Sequence, residues 1–392
     1  MRLPLRLALA GMSALLCWGV IRGMTPMKWG GFEDAPGEGR KAGRAAIFRK
    51  EFINPEQGLP MVHVASLAQM PDGILSAVWY AGTAECHPDV RIYFSQREAG
   101  MADAPWSAPR VIMTRELAER DLGRPVKSLG NAVLLANPDG SLRLLFVTIA
   151  MGKWSGSQLN SCLSNDGGLT WSRVEHLTLS PFFNFSELVR NRPVARTGGG
   201  WCVPIYQEFL GKFPELLWLG ERNGKLAYQK TRIAGGCSTF QPSLIPGDRD
   251  QADVLLRDFT SARRIHVASS HDGGVDWPFL TATELPNPDA GISGLRLSDG
   301  RLLVAFNDSA KDRSDLTLAV SSNRGRSWKR VAVLEKEPGA SFSYPYLMRS
   351  ADGMIRMAYT RKGKVIALSS FNEEWLASQE AQEAIGNQGG TP

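Results

Sequence analysis

Five polar side chains stand apart in a chain built mostly of apolar, alternating runs: His63, Glu85, Arg257, Arg313 and Tyr344. Each brings a different chemistry. His63, in Val62-His63-Val64-Ala65, can work near neutral pH as an acid, a base or a neutral hydrogen-bond donor. Glu85 follows Trp79-Tyr80 in Trp79-Tyr80-Ala81-Gly82-Thr83-Ala84-Glu85, with Asp89 close behind. Aromatic neighbours can desolvate a carboxyl group and raise its pKa, as donation of a proton to a leaving oxygen requires. Arg257, in Leu255-Leu256-Arg257-Asp258, and Arg313, in Asp312-Arg313-Ser314, carry permanent charge and a planar fork that fits a carboxylate. For either arginine the plain alternative is a surface ion pair. Tyr344, in Ser343-Tyr344-Pro345-Tyr346, has an ordinary pKa of about 10 and stays mostly protonated unless a base is near. Gln241, in Gln241-Pro242-Ser243, cannot be that base.

These residues are far apart in sequence, so a repeating architecture must gather them. Three stretches are near-copies: Ser164-Asn165-Asp166-Gly167-Gly168-Leu169-Thr170-Trp171, Ser270-His271-Asp272-Gly273-Gly274-Val275-Asp276-Trp277 and Ser321-Ser322-Asn323-Arg324-Gly325-Arg326-Ser327-Trp328. Each follows a β-rich run and reads as a hairpin turn. Asp or Asn and Ser cap turn N–H groups, Gly accepts positive φ, and Trp covers the hairpin base. A second mark, a turn pair ahead of an alternating strand, falls at Asp72-Gly73, Asp139-Gly140, Gly198-Gly199, Gly247-Asp248, Asp299-Gly300 and Asp352-Gly353. The spacing is that of a four-stranded propeller blade with its loops, and six turns imply six blades. Helical periodicity is confined to 115–121 and 372–385. With 40 Gly and 23 Pro among 392 residues, the chain reads as all-β and rich in turns. No linker-like segment divides it, so one domain is expected over 49–376, followed by a short tail at 377–392.

The Ser-x-Asp/Asn-x-Gly-x-x-Trp pattern resembles the Asp-box, or BNR repeat, of sialidases and sialidase-like proteins. The likeness spans roughly 50–376 and implies a six-bladed β-propeller of the sialidase type, with the boxes on outer hairpins away from the catalytic face. It also implies roles. Sialidases carry Arg-Ile-Pro where this chain has His63 and Ala65, so one of three carboxylate-clamping arginines is replaced by histidine. Arg257 and Arg313 match the other two clamp positions. Glu85 is nearest the general-acid position, Tyr344 falls on the nucleophile, and Gln241 stands where the family has a nucleophile-polarising Glu. A tyrosine nucleophile suits an anomeric carbon bearing a carboxylate, because a neutral phenol meets less repulsion there. Lys153-Trp154-Ser155, Gly130-Asn131-Ala132 and the stretch from Arg192-Pro193 to Gln207-Glu208 resemble a bacterial sialidase-like subgroup. There Trp154 can stack on a sugar face and Glu208 can turn a carboxylate to the cavity, with Asn131 beside them; packing and turn capping fit these residues equally.

The chain start reads as a targeting segment. Arg2 and Arg6 precede an apolar run at 7–21 that is short for a membrane span and fits a signal peptide or an uncleaved anchor over 1–23. Export to the periplasm or beyond is expected, with any membrane contact through that anchor alone and a flexible lead-in at 24–48. Cys86, Cys162, Cys202 and Cys237 show no metal-ligand spacing, and five scattered His make a zinc site unexpected. Export permits a disulfide, though Cys162 and Cys202 sit in strand-like runs and read as buried thiols. The charge of +6 is compatible with an acidic substrate. No phosphate loop, dinucleotide fingerprint or nucleic-acid pattern occurs, so neither cofactor nor nucleic acid is expected. The expectation is an exo-glycosidase acting on the acidic terminus of a glycan. Two rivals remain, a β-eliminating lyase on a uronate polysaccharide and a non-catalytic glycan-binding propeller.

Overall fold

The computed structural model describes residues 31–33, 44–55, 58–100, 104–180, 184–222, 225–233 and 236–388; the expected export segment at 1–23, with Cys17, and most of the lead-in lie outside the described residues. Six antiparallel sheets follow one another along the chain as the blades of a β-propeller. Blade 1 runs Met61–Gln69, Leu75–Gly82, Arg91–Arg97 and Arg110–Met113, and blade 2 runs Ser128–Ala136, Leu142–Ile149, Ser157–Ser164 and Glu175–His176. In blade 3 the innermost strand is split into Leu188–Val189 and Val194–Ala195, both paired with Trp201–Gln207, before Phe213–Arg222 and Lys225–Arg232. Blade 4 comprises Thr239–Pro246, Ala252–Asp258, Arg264–Ser270 and Leu280–Pro286; blade 5 comprises Ser293–Arg296, Leu302–Phe306, Asp315–Ser321 and Lys329–Lys336. Blade 6 takes Phe342–Arg349, Ile355–Arg361 and Val365–Phe371 from the end of the chain and its outermost strand, Phe48–Phe52, from the beginning.

All six Gly-containing turn marks lie between the first and second strands of their blades, so the counting rule read the architecture directly. Inner and middle strands are buried on both faces, and their aliphatic side chains fill the layers between neighbouring blades. One layer joins blades 1 and 2 through Val78, Phe94, Leu134 and Phe146; another joins blades 5 and 6 through Leu303, Leu318, Leu347 and Met357. Serines on three inner strands tie their blades to the next. Ser66 Oγ accepts Leu134 N–H at 3.1 Å, Ser243 Oγ accepts Gly294 N–H at 2.8 Å, and Ser293 Oγ accepts Leu347 N–H at 2.9 Å.

The three Asp-boxes link the third and fourth strands of blades 2, 4 and 5. In each, the serine hydroxyl donates to the Asp or Asn side chain and accepts the N–H of the conserved-position glycine, as Ser270 does with Asp272 at 2.8 Å and Gly274 at 3.0 Å. Those glycines also face the preceding blade: a Cβ on Gly168 would meet the Phe94 ring at 2.6 Å, and one on Gly325 would meet Val267 at 3.0 Å. The boxes are therefore staples between blades. Third strands run parallel to first strands, so the boxes sit at the end of the barrel opposite the starts of the inner strands.

One chain-end expectation needs correction. Within the lead-in read as flexible, 31–33 are docked: Phe32 is buried, stacks on Trp218 and bridges to Arg196 of blade 3. The aromatic gives these residues a fixed seat that composition alone did not signal. At the other end the helical stretch expected at 372–385 is a helix, Glu373–Gln388. Trp375 stacks on Phe48, and Glu380 meets Arg301 at 2.8 Å. A second helix, Arg115–Leu122, matches its predicted place and is capped by Thr114 and by Gly123 in the left-handed region. Cys86, Cys162 and Cys202 are buried free thiols and Cys237 is exposed, so none of these four forms a disulfide.

Candidate functional site

Four inner strands carry a β-bulge near their starts, where two residues oppose one on the second strand. The register breaks fall between His63 and Ser66, Leu129 and Ala132, Phe240 and Ser243, and Ser343 and Tyr346. The first bulged residue is Val64, Gly130, Gln241 or Tyr344, and the three with side chains hold φ of 48°, 50° and 57°. Left-handed backbone at non-Gly residues costs roughly 1–2 kcal/mol each. Bulges re-aim side chains, and here they turn Asn131, Gln241 and Tyr344 toward the axis. Gly130 has a separate reason to lack a side chain, since a Cβ would come within 2.5 Å of the Trp154 ring.

The bulges surround a cavity of about 320 Å³, strongly polar, lined by Glu85, Arg257, Arg313, Tyr344, Tyr206 and Glu208 among others. Asn131, Trp154 and Gln241 line it too, and His63 stands against its wall through Glu85. All nine residues singled out from sequence therefore converge on one place. Trp79 does not. Strand alternation sends it into the layer between blades 6 and 1, stacked on Tyr93, and leaves Tyr80 to face Glu85. Asp89 serves the loop, taking the Thr83 N–H at 2.9 Å and the Thr83 hydroxyl at 2.8 Å. Arg192 and Pro193 line a different and larger cavity, about 620 Å³, with Leu67, Leu134 and Met348 at the far ends of the inner strands.

Glu85 is gripped on both oxygens. Oε1 lies 3.1 Å from His63 Nε2 and accepts the Tyr80 hydroxyl at 3.4 Å; Oε2 accepts the Trp154 indole N–H at 3.3 Å. Burial would raise its pKa, but the His63 hydrogen bond and charge, with Trp154 and Arg313, hold it down at about 2. The desolvation expected from the aromatic neighbours is present, but these partners turn the net shift downward, opposite to the raised pKa expected of a proton donor. His63 is enclosed as well. Its Nδ1 is 3.2 Å from Thr360 Oγ1, a buried hydroxyl that also accepts the Val64 N–H at 3.0 Å. With both ring nitrogens engaged, His63 is held in place between Thr360 and Glu85.

Across the cavity Arg257 donates Nη1–H to Gln241 Oε1 and Nε–H to Asp289 Oδ1, each at 2.8 Å. Arg313 donates Nη2–H to the Asp289 carbonyl at 2.8 Å. Asp289, at φ 56°, therefore joins the two guanidinium groups while leaving Arg257 Nη2 and Arg313 Nη1 without a partner among the described residues. Tyr344 is stacked between cations, with Arg313 and the buried Arg190 each 5.2 Å from its ring centre and His63 edge-on at 4.8 Å. Its hydroxyl makes no hydrogen bond to any described residue. Arg190 donates to the Ile292 and Pro345 carbonyls and braces the bulge from beneath. Glu208 reaches Lys212 at 3.4 Å, and burial keeps its carboxyl above the usual range. Among the described residues no group of three His, Cys, Asp or Glu side chains is placed to hold a metal ion.

Residues 73–357 match the BNR repeat-like domain family, most of the chain. The chain belongs to that sialidase-like BNR propeller family. A sialidase of Micromonospora viridifaciens is 23% identical over 357 residues, covering 83% of this chain and 53% of the relative, so the chain spans about half that protein's length. A protein of unknown function from Dyadobacter fermentans superposes with TM-score 0.66 at 14% identity, covering 83% of this chain and 99% of that one. The NanB sialidase of Streptococcus pneumoniae gives 0.62 at 11%, covering 81% and 69%, and the intramolecular trans-sialidase of Ruminococcus gnavus gives 0.60 at 13%, covering 80% and 95%. At these identities the likeness to solved structures is one of fold. Within this BNR propeller, sequence reasoning missed Tyr206, Asp289, Arg190, Lys212 and Thr360. Tyr206 had a readable signal: it follows the inner strand's partner register in blade 3 as Tyr80 does in blade 1. Asp289 had none, since a loop aspartate reads as a turn cap.

Proposed function

We propose that this propeller is a glycan-active enzyme acting on a terminal sugar that bears a carboxylate. The observation that carries the reading is the pairing of Arg257 and Arg313 on Asp289, beside the unbonded hydroxyl of Tyr344. Two arginines fixed by one bridge form a preorganised clamp, and charge-assisted forks favour a carboxylate over a neutral group. With the carboxylate held there, Tyr344 stands over the adjoining carbon as the reacting group, and the Glu85 carboxylate orients or exchanges a proton from the opposite wall. Relatives described as sialidases favour sialic acid as that sugar, and hydrolysis of its terminal linkage as the reaction.

A second reading draws on Gln241. An amide cannot polarise a tyrosine nucleophile, whereas β-elimination from a uronate needs no nucleophile. The arginines neutralise the carboxylate and acidify C5–H, His63 or the deprotonated Tyr344 oxygen takes that proton, the C4–O bond breaks, and the proton passes to the departing oxygen. One screen separates the two. Acidic glycans incubated with the protein release a free sialic acid if it hydrolyses sialosides, or develop absorbance near 235 nm if it forms an unsaturated uronate. Binding without either product leaves a glycan-binding propeller, and no binding at all overturns the carboxylate-sugar reading.

A further inference from the structure

Tyr206 is the point where two walls of the cavity meet. Its hydroxyl oxygen accepts the Asn131 Nδ2–H from blade 2 and the Gln241 Nε2–H from blade 4, both at 3.1 Å. The Gln241 amide has one sensible orientation, because its Oε1 takes the Arg257 Nη1–H at 2.8 Å and Arg257 is itself anchored on Asp289. Two incoming donors fill both lone pairs of the phenolic oxygen. The phenol's own proton is left with no acceptor among the described residues, and the residue borders the cavity. Burial above all, and then the charge of Glu208, push the Tyr206 pKa far above its ordinary value, so the proton stays on oxygen.

We propose that Tyr206 donates a hydrogen bond to the bound sugar, and that Gln241 sets this polarity. The inference rests on the carboxylate-sugar reading and adds what the sugar must offer at this wall: an accepting oxygen, as in a carboxylate, an acyl carbonyl or a hydroxyl whose own proton points elsewhere. A carboxylate side chain at position 241 would take the phenolic proton for itself and turn Tyr206 into an internal donor. The amide does the reverse. It presents N–H to the phenol and frees the proton for the cavity. Tyr206 is thus a specificity-determining residue whose donor character depends on a neighbour that never touches the ligand through the same group.

The experiment has two parts on the full chain. Resonance Raman of tyrosine distinguishes a phenol that only accepts from one that donates, and the difference between wild type and Tyr206→Phe isolates this residue. In the free protein Tyr206 reads as a phenol that accepts from the protein, and in Gln241→Glu its signature shifts to that of a strong donor to a carboxylate. Calorimetric titration with N-acetylneuraminate and with D-glucuronate then measures binding, and Tyr206→Phe weakens the sugar that binds by about tenfold. A Tyr206 signature that is the same in wild type and Gln241→Glu overturns the inference, as does a sugar bound equally by wild type and Tyr206→Phe. If wild type binds neither sugar while the acceptor signature holds, the carboxylate-sugar reading and the ligand half of the inference fall, and the assignment of a free phenolic proton stands. Should Tyr206→Phe misfold, Gln241→Glu carries the same comparison with wild type.

Discussion

His63 Nε2 stands 3.1 Å from Glu85 Oε1, and the two side chains are 13% and 39% exposed. The imidazole stands behind the carboxylate, with its other nitrogen on Thr360. This pairing stands where the sialidase pattern places an arginine, so the cavity wall here presents a carboxylate in place of a third cation. Glu85 should titrate near 2 in the wild type and higher in His63→Ala, followed by the carboxyl 13C shift. Its folded pKa lies below its ordinary value of 4.5. The pair therefore stabilises the fold above that value, and the contribution is lost as pH falls toward 2.

Removing either clamp arginine should weaken binding of an acidic sugar by at least about tenfold, since a charge-assisted hydrogen bond contributes roughly 1.5–3 kcal/mol. Asp289→Ala tests the bridge. The Asp289 carboxylate holds Arg257, while Arg313 is held by the Asp289 main-chain carbonyl and keeps that contact, so the substitution should weaken the same ligand less than Arg257→Ala does, and binding calorimetry on all three variants gives the comparison. Unchanged affinity in Arg257→Ala would place the carboxylate elsewhere.

Tyr344→Phe should abolish turnover and leave the dissociation constant within about threefold of wild type. The ring, which the Arg190 and Arg313 planes flank, is preserved, and only the unbonded hydroxyl goes. Equal loss of binding and turnover would mean that the hydroxyl holds the sugar and does not react.

Ser270→Ala should cost about 1 kcal/mol of stability and spare any activity. The hydroxyl is fully buried and serves both Asp272 and the Gly274 N–H, at the barrel end away from the cavity. Denaturant melts and an activity assay on the same preparation decide it; a loss of activity at unchanged stability would put the Asp-box in the functional site.

A buried acid cluster in blade 3 sets a pH dependence of its own. Glu187 meets Lys230 at 2.8 Å, and Lys230 also reaches Glu215 at 3.3 Å. Burial pushes the Glu187 carboxyl up to about 7. A carboxyl with a raised folded pKa favours the folded state when protonated, so its contribution declines as pH rises from its ordinary value of 4.5 toward 7. Melting temperatures between pH 5 and 8 should show this decline, and Glu187→Gln should flatten it.

Much of the site could be read from the chain because each functional residue sits at a repeated place, near the start of an inner strand or on its partner. Tyr344 and Gln241 occupy the same bulge position in blades 6 and 4, and Arg257 pairs with the residue before its bulge as Thr360 does in blade 6. What escaped were residues whose role depends on a partner in another blade. Thr360 acts through His63, 297 residues away, and Arg190 braces Pro345 across 155. Nor could the ionisation of Glu85 be read. Aromatic neighbours suggested desolvation and a high pKa, but only the fold places an imidazole and an indole on its two oxygens, and these outweigh burial.

The strand Phe48–Phe52 pairs with Val365–Phe371, and Ile47 N–H is held by Asn372, 325 residues later. During synthesis that opening strand leaves the ribosome with an open edge and no partner until almost the whole chain has followed. The ring can close only then. Until it does, blade 6 has no outer strand, and its Tyr344 bulge cannot be set against His63 of blade 1. A shortened product lacking the last blade would hold both clamp arginines but not Tyr344, so assembly of the site is a late event that waits for the strands of blade 6.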